Sequence, residues 1–124
     1  MPILVPRALS AVPARVWSHG EWERIRLGYR SRTMDEKWEI FAEGNTLFMH
    51  RSWTGYGIYE VSFVEANGGF GIAESVVESD RGRYRSRSDE LECVMIELMM
   101  RSLLLGEAAT ELRGLSEKLW GAYR

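Results

Sequence analysis

Lys37-Trp38-Glu39-Ile40-Phe41-Ala42-Glu43-Gly44-Asn45-Thr46-Leu47-Phe48-Met49-His50-Arg51-Ser52-Trp53 decides the fold class, because its apolar residues recur with a period of two. Trp38, Ile40 and Ala42 fall on one face of an extended chain, and Lys37, Glu39 and Glu43 on the other. Gly44-Asn45 punctuates the run, and Thr46 to Trp53 is rich in strand formers, so the stretch reads as a hairpin. Thr54-Gly55 marks the next turn, and Tyr56 to Glu65 continues the period with Tyr59, Val61 and Phe63 on one face. Asn67-Gly68-Gly69 is the strongest turn signal in the chain, and Phe70 to Glu78 makes a fourth strand. Links this short cannot cross over a sheet, so the four strands form an antiparallel meander.

Helical periods flank the meander. Ser18-His19-Gly20-Glu21 has the form of a capping box, with Trp17 and Trp22 placed as a hydrophobic staple and Trp22, Ile25 and Tyr29 on one face. A short helix is expected from about Glu21 to Leu27. Downstream, Ser88-Asp89-Glu90-Leu91 opens a longer helix with a serine cap and acids in its first turn, where the helix dipole favours them. It runs to Leu105 and stops at Gly106. Its apolar positions form two overlapping stripes, so it must be covered on more than one side: by the sheet, and by the last helix, the first helix or a second copy. Glu107 to Tyr123 is an ordinary amphipathic helix. The expected architecture is α+β, a four-stranded antiparallel meander covered by about three helices. Residues 18–124 form a single domain, preceded by an arm, residues 1–17, carrying Pro2, Pro6 and Pro13. That arm is either extended along the domain or loose.

Composition bounds the function. The 124 residues suit one domain, and 45% hydrophobic with 27% charged content is that of a globular chain. One cysteine, Cys93, excludes an internal disulfide and suits a reducing cytosol. The start of the chain lacks a secretory pattern, and the most apolar stretch, Leu91 to Leu105, is too short and too charged to span a membrane. A cytoplasmic protein is expected. A net charge of −2 argues against a general nucleic-acid binder. Fourteen of the sixteen basic residues are arginine, whose planar fork suits carboxylates and phosphates.

The densest set of chemical groups is His50-Arg51-Ser52-Trp53-Thr54-Gly55-Tyr56-Gly57. In an extended strand His50 and Ser52 would share one face as a hydrogen-bonding pair. Arg51 and Trp53 would share the other as a guanidinium and a stacking plane, a combination suited to a nucleotide-like ligand. The glycines would let a ligand approach the backbone. Trp53 and Tyr56 as packing residues, with Arg51 paired to Glu39 or Glu60, is the structural alternative. Two arginine groups flank the meander: Arg24, Arg26, Arg30 and Arg32 before it, and Arg81, Arg83, Arg85 and Arg87 after it. Alternate spacing would send the second group to one side of an extended segment, and with Arg51 the two groups would line an anion site. Cys93 sits in the apolar part of the main helix, where a thiol is inert. No metal-ligand spacing, phosphate loop or nucleophile elbow is present, so neither a cofactor nor a catalytic residue is expected.

Lys37-Trp38-Glu39-Ile40-Phe41, Leu47-Phe48, His50-Arg51-Ser52-Trp53-Thr54-Gly55-Tyr56 and Ile58-Tyr59 together resemble a small bacterial family. Its members pair a KW-x-I-[FY] strand with an HRSWTG[FY]-x-I[FY] hairpin. The resemblance covers roughly Trp22 to Leu105 and brings no established activity. Relatives lying near ADP-ribose-processing genes add an ADP-ribose-like molecule to the ligand classes it implies.

The expectation is a small binding module, leaning away from an enzyme, for an anionic nucleotide-like or ADP-ribose-like ligand. Its site residues are His50, Arg51, Ser52, Trp53, Thr54, Tyr56, Arg83 and Arg85. The alternative is an interaction, immunity or regulatory protein acting through a homodimer or a partner on the apolar main helix, where Met95, Met99 and Met100 lie.

Overall fold

The computed structural model describes residues 1–121. The meander is present as β3 (Trp38–Glu43), β4 (Thr46–Arg51), β5 (Gly57–Ala66) and β6 (Gly69–Glu78), each antiparallel to the next. Two further strands come from the arm: β1 (Pro6–Ala8) and β2 (Trp17–Ser18), both antiparallel to β6. The sheet therefore has six strands rather than four, in the order β1-β6-β5-β4-β3 with β2 also on β6. The added strands are three and two residues long, too short for a period to declare itself. Pro6 is tolerated because it opens a strand at the sheet edge.

The arm is thus extended along the domain. Ser79 Oγ and its amide both donate to the Val5 carbonyl, and the Leu9 amide donates to Ser75. Gly69 makes the β2 pairing possible, since a Cβ there would stand 2.1 Å from the Trp17 carbonyl oxygen. Trp17 then enters the core edge-on to Phe63, with ring centres 5.8 Å apart.

α1 (His19–Arg26) is held by the complete capping box. The Glu21 amide donates to Ser18 Oγ at 3.1 Å, and the Ser18 amide donates to Glu21 Oε1 at 2.9 Å. Trp22 packs on Phe63 and Phe70, and Ile25 is fully buried, so α1 lies over the β5–β6 end of the sheet. The two expected staple residues meet at Phe63 rather than at each other's rings.

The main helix begins as expected, as α2 (Asp89–Met99) with Ser88 accepting from the Leu91 amide. Its last turn differs: Met100–Leu104 is wound as a π-helix. The wider turn lets consecutive Met99 and Met100 both point inward, and both are buried. α3 is Thr110–Gly121, starting three residues later than the sequence suggests. The Glu107 carboxylate is instead held by Arg15 at 3.0 Å and Arg101 at 2.9 Å, and Ala109 has a φ of 51°, which breaks the helical path. The expected end at Tyr123 lies outside the described residues.

α2 packs against α3, where Ser116 Oγ lies 3.6 Å from Met95 Sδ, and the π-turn packs against α1. The two apolar stripes of the main helix therefore find cover within the chain. Among the described residues no helix is long and apolar enough to cross a membrane.

Candidate functional site

β4 ends at Arg51, earlier than the expected Trp53. The Arg51 amide donates to the Tyr56 carbonyl and the Gly55 amide to the Arg51 carbonyl, closing a tight turn over 52–55. A register shift between Met49 and His50 also interrupts the alternation. His50 and Arg51 stay on opposite faces, as the alternation requires, but Ser52 and Trp53 leave the strand, so the expected sharing of faces with them is lost.

Arg51, Trp53, Thr54 and Tyr56 come together around one cleft of about 340 Å³, joined by Arg83 and Gly82 from the loop after β6 and by Lys37 just before β3. Three cations line it and no acid does. Arg51 lies over the Trp38 ring, its guanidinium carbon 4.6 Å from the ring centre, and 5.9 Å from that of Tyr84. It is paired with neither Glu39 nor Glu60; Glu39 instead accepts from Ser31 Oγ. Among the described residues the Lys37 and Arg51 side chains make no hydrogen bond or ion pair. Aromatic planes hold a guanidinium by its face and leave its N–H edge available.

Trp53 is 69% exposed, yet its indole N–H donates to the Met34 carbonyl at 2.8 Å. A large apolar ring is thus fixed in orientation while facing solvent. Arg83 covers the Tyr56 ring at 4.6 Å and donates to the Pro2 carbonyl at 3.2 Å.

The remaining expected site residues lie elsewhere. His50 is on the opposite face of the sheet, edge-on to Phe41. Its Nδ1 lies 3.1 Å from the Gly55 carbonyl oxygen, which can only accept, so the ring proton sits on Nδ1. Burial, and next the Met1 ammonium that bonds the same carbonyl, push the His50 pKa down and keep the ring neutral. Ser52 donates to the Glu36 carbonyl at 2.7 Å, beside a separate recess on the far side of Trp53. His50 and Ser52 are therefore not a pair. Gly57 also departs from the expectation of ligand access. Its missing Cβ makes room for the backbone of the arm, with Met1 O 2.9 Å from where that atom would stand.

The arginine groups do not converge as one site. A turn at Asp80–Arg83 sends Arg83 to the first cleft, while Arg81, Arg85 and Arg87 line a second cleft. Arg24 caps the Leu105 carbonyl at 2.8 Å, Arg26 pairs with Glu23, and Arg30 and Arg32 line other recesses.

Two buried glutamates, which the sequence reading passed over, fix the loop that carries the arginines. Glu78, fully buried at the end of β6, accepts from the amides of Leu4 at 2.6 Å, Val5 at 2.9 Å and Asp80 at 3.0 Å. Burial opposes its charge, but these amides and nearby Arg83 outweigh it and hold its pKa down. Glu92, fully buried on α2, accepts from Tyr59 at 2.5 Å and Tyr84 at 2.9 Å. Burial foremost, and the carboxylate beside them, raise Tyr84 to about 12 and Tyr59 well above its usual value, so both hydroxyls stay protonated as donors. The only sequence signal for this floor was the tyrosine at position 84 in an otherwise polar loop.

Cys93 is half-buried, and burial followed by Glu97 and Glu90 raises its pKa, consistent with an unreactive thiol. Among the described residues no group of three or more His, Cys, Asp or Glu could hold a metal ion. Comparison with family models, with curated proteins and with solved structures returned no match.

Proposed function

We propose that the chain is a binding module for a small anionic, nucleotide-like ligand seated in the cleft of Lys37, Arg51 and Arg83. The carrying observation is the pairing of Lys37 and Arg51, which make no ion pair among the described residues, with an exposed but hydrogen-bonded Trp53. Leaving cations unpaired side by side is mildly unfavourable in the empty protein, and an anion relieves that repulsion while accepting charge-assisted hydrogen bonds. Trp53 offers a plane for a base, Tyr56 carries Arg83 over its ring, and Thr54 adds a hydroxyl at the rim. An ADP-ribose-like molecule falls within this class. His50, Ser52 and Arg85 drop out of the first-cleft contact set, and Lys37 joins it.

The reading also suits binding better than catalysis. His50, the obvious base, lies on the other face with Nδ1 turned to the Gly55 carbonyl, while Tyr59 and Tyr84 are locked as donors to Glu92. The interaction-protein alternative rested on an over-apolar main helix, which α3 and α1 now cover.

A thermal-shift screen with AMP, ADP, ADP-ribose and inorganic phosphate tests the proposal. A ligand at 100 times its dissociation constant adds ~2.7 kcal/mol of stability. The expected result is a rise in Tm with nucleotides that Arg51→Ala abolishes while its own Tm stays within a few degrees. A flat screen, or an equal rise in Arg51→Ala, would remove the cleft from consideration.

A further inference from the structure

The second cleft, about 690 Å³, is lined by Arg81, Arg85 and Arg87 with Ser79, Ser86 and Trp120. Arg87 is held in place: it lies over Trp120 at 3.6 Å, donates to Tyr84 Oη at 3.1 Å and faces Glu92 at 3.8 Å. Arg81 and Arg85 are exposed and, among the described residues, have no hydrogen bond or ion pair. This cleft too is cationic, offers hydroxyls and carries a large aromatic ring.

The two clefts are neighbours across a single side chain. Tyr84 is buried, and the Arg51 and Arg87 guanidinium carbons stand 5.9 and 5.7 Å from its ring centre. Those two cations are therefore no further apart than the two distances laid end to end, a gap one small molecule can bridge. The partition between the clefts is also rigid, because Tyr84 Oη is anchored on Glu92 and the start of the loop on Glu78. Arg83 and Arg85 leave the same short loop on either side of Tyr84, one into each cleft.

We infer that both clefts serve one ligand carrying two separated anionic groups, a dinucleotide-like molecule. Its first phosphate and base occupy the Arg51–Trp53 cleft, and its second phosphate enters the cleft that Arg87 shares with Arg81 and Arg85. This rests on the first-cleft reading and extends it by setting the size of the ligand. Once one end is bound, the other meets its cleft at a high effective concentration, so a two-anion ligand gains affinity well beyond either half. A mononucleotide cannot make that gain.

The test titrates AMP and the 5′-phosphorylated diadenylate pApA into the whole chain by calorimetry, at fixed ionic strength. Wild type is compared with the double variant Arg81→Gln/Arg85→Gln, whose Tm is expected to be unchanged because neither arginine has a partner to lose. The inference predicts that pApA binds wild type at least about tenfold more tightly than AMP, consistent with the gains two linked contacts bring. The double variant should hold AMP as wild type does and lose the pApA advantage. Equal affinities for AMP and pApA in wild type would overturn the two-cleft ligand and leave the first cleft standing. A double variant that weakens AMP as much as pApA would also overturn it. Binding of neither would overturn both readings.

Discussion

Two groups of arginines among the described residues contrast in what they face. Arg15 reaches both Glu21 and Glu107, Arg101 reaches Glu97 and Glu107, and Arg7 pairs with Asp89; these contacts tie the arm and the helix ends to the domain. Arg51, Arg81 and Arg85 face no acid among the described residues; of these, Arg51 lies on an aromatic ring. A cation answered by a carboxylate serves the fold. One braced only by an aromatic ring, or by nothing, is left with its hydrogen-bonding edge for something from outside. The same contrast holds for the acids, since Glu78 and Glu92 are buried, fully engaged, and placed to fix the loop between the two clefts.

The contrast breaks most visibly at Glu92. Glu92→Ala removes the acceptor of two buried tyrosine hydroxyls and is expected to cost about 2–6 kcal/mol in urea unfolding, at about 1–3 kcal/mol per stranded group. Glu92→Gln, which keeps an acceptor, should cost less. If the alanine variant is as stable as wild type, the floor of the clefts is not what fixes them.

The next effect belongs to the paired arginines. Arg15→Ala should lose about 1–2 kcal/mol, because two carboxylates lose charge-assisted bonds while remaining partly solvated. Lys37→Ala and Arg85→Ala should each stay within about 0.5 kcal/mol of wild type. Equal losses in the two groups would erase the distinction between them.

Acid sharpens it further. Hydrogen bonds from Arg7 and the Ser10 amide bring Asp89 to about 2, and those from Arg15 and Arg101 bring Glu107 to about 2, both below their usual values. A carboxylate whose folded pKa is depressed contributes stability above its unfolded pKa and loses it as pH falls through the folded value. Stability measured by urea should therefore fall as pH is lowered from about 4.5 to about 2. In Asp89→Asn/Glu107→Gln that fall should be shallower. An unchanged slope would mean that these pairs carry no net stabilisation.

Much of the fold was legible in residues 37–78, where the period-two pattern and three turn signals fixed four strands and their order. The capping box at Ser18 and the serine cap at Ser88 marked the starts of α1 and α2 for the same reason: local hydrogen-bonding chemistry is written in adjacent residues. The arm strands were not legible, because a two- or three-residue strand is recruited by β6 rather than by its own sequence. The π-turn and the late start of α3 were also hidden, since both depend on distant partners, the packing of Met99 and Met100 and the hold of Arg15 on Glu107. At the site, five of the expected residues, Arg51, Trp53, Thr54, Tyr56 and Arg83, do surround one cleft. Strand alternation put His50 on the face opposite Arg51, as found, but it misplaced Ser52, because β4 stops at Arg51 and a tight turn replaces the last two strand positions. Glu78 and Glu92 were passed over because a glutamate reads as surface until its buried donors are seen.

The smallest structural effect is also the most direct reporter. Trp53 Nε1–H, bonded to the Met34 carbonyl, belongs to an exposed ring that lines the cleft, so its cross-peak in a ¹H–¹⁵N spectrum of the labelled chain should move as AMP is added. The backbone amides of Arg51, Tyr56 and Arg83 should move along the same saturation curve, while His50 and the outer face of the sheet stay still. Saturable shifts confined to those residues, and lost in Arg51→Ala, are what the account predicts. Shifts that gather on the other face, or a Trp53 cross-peak indifferent to every nucleotide tried, would contradict it.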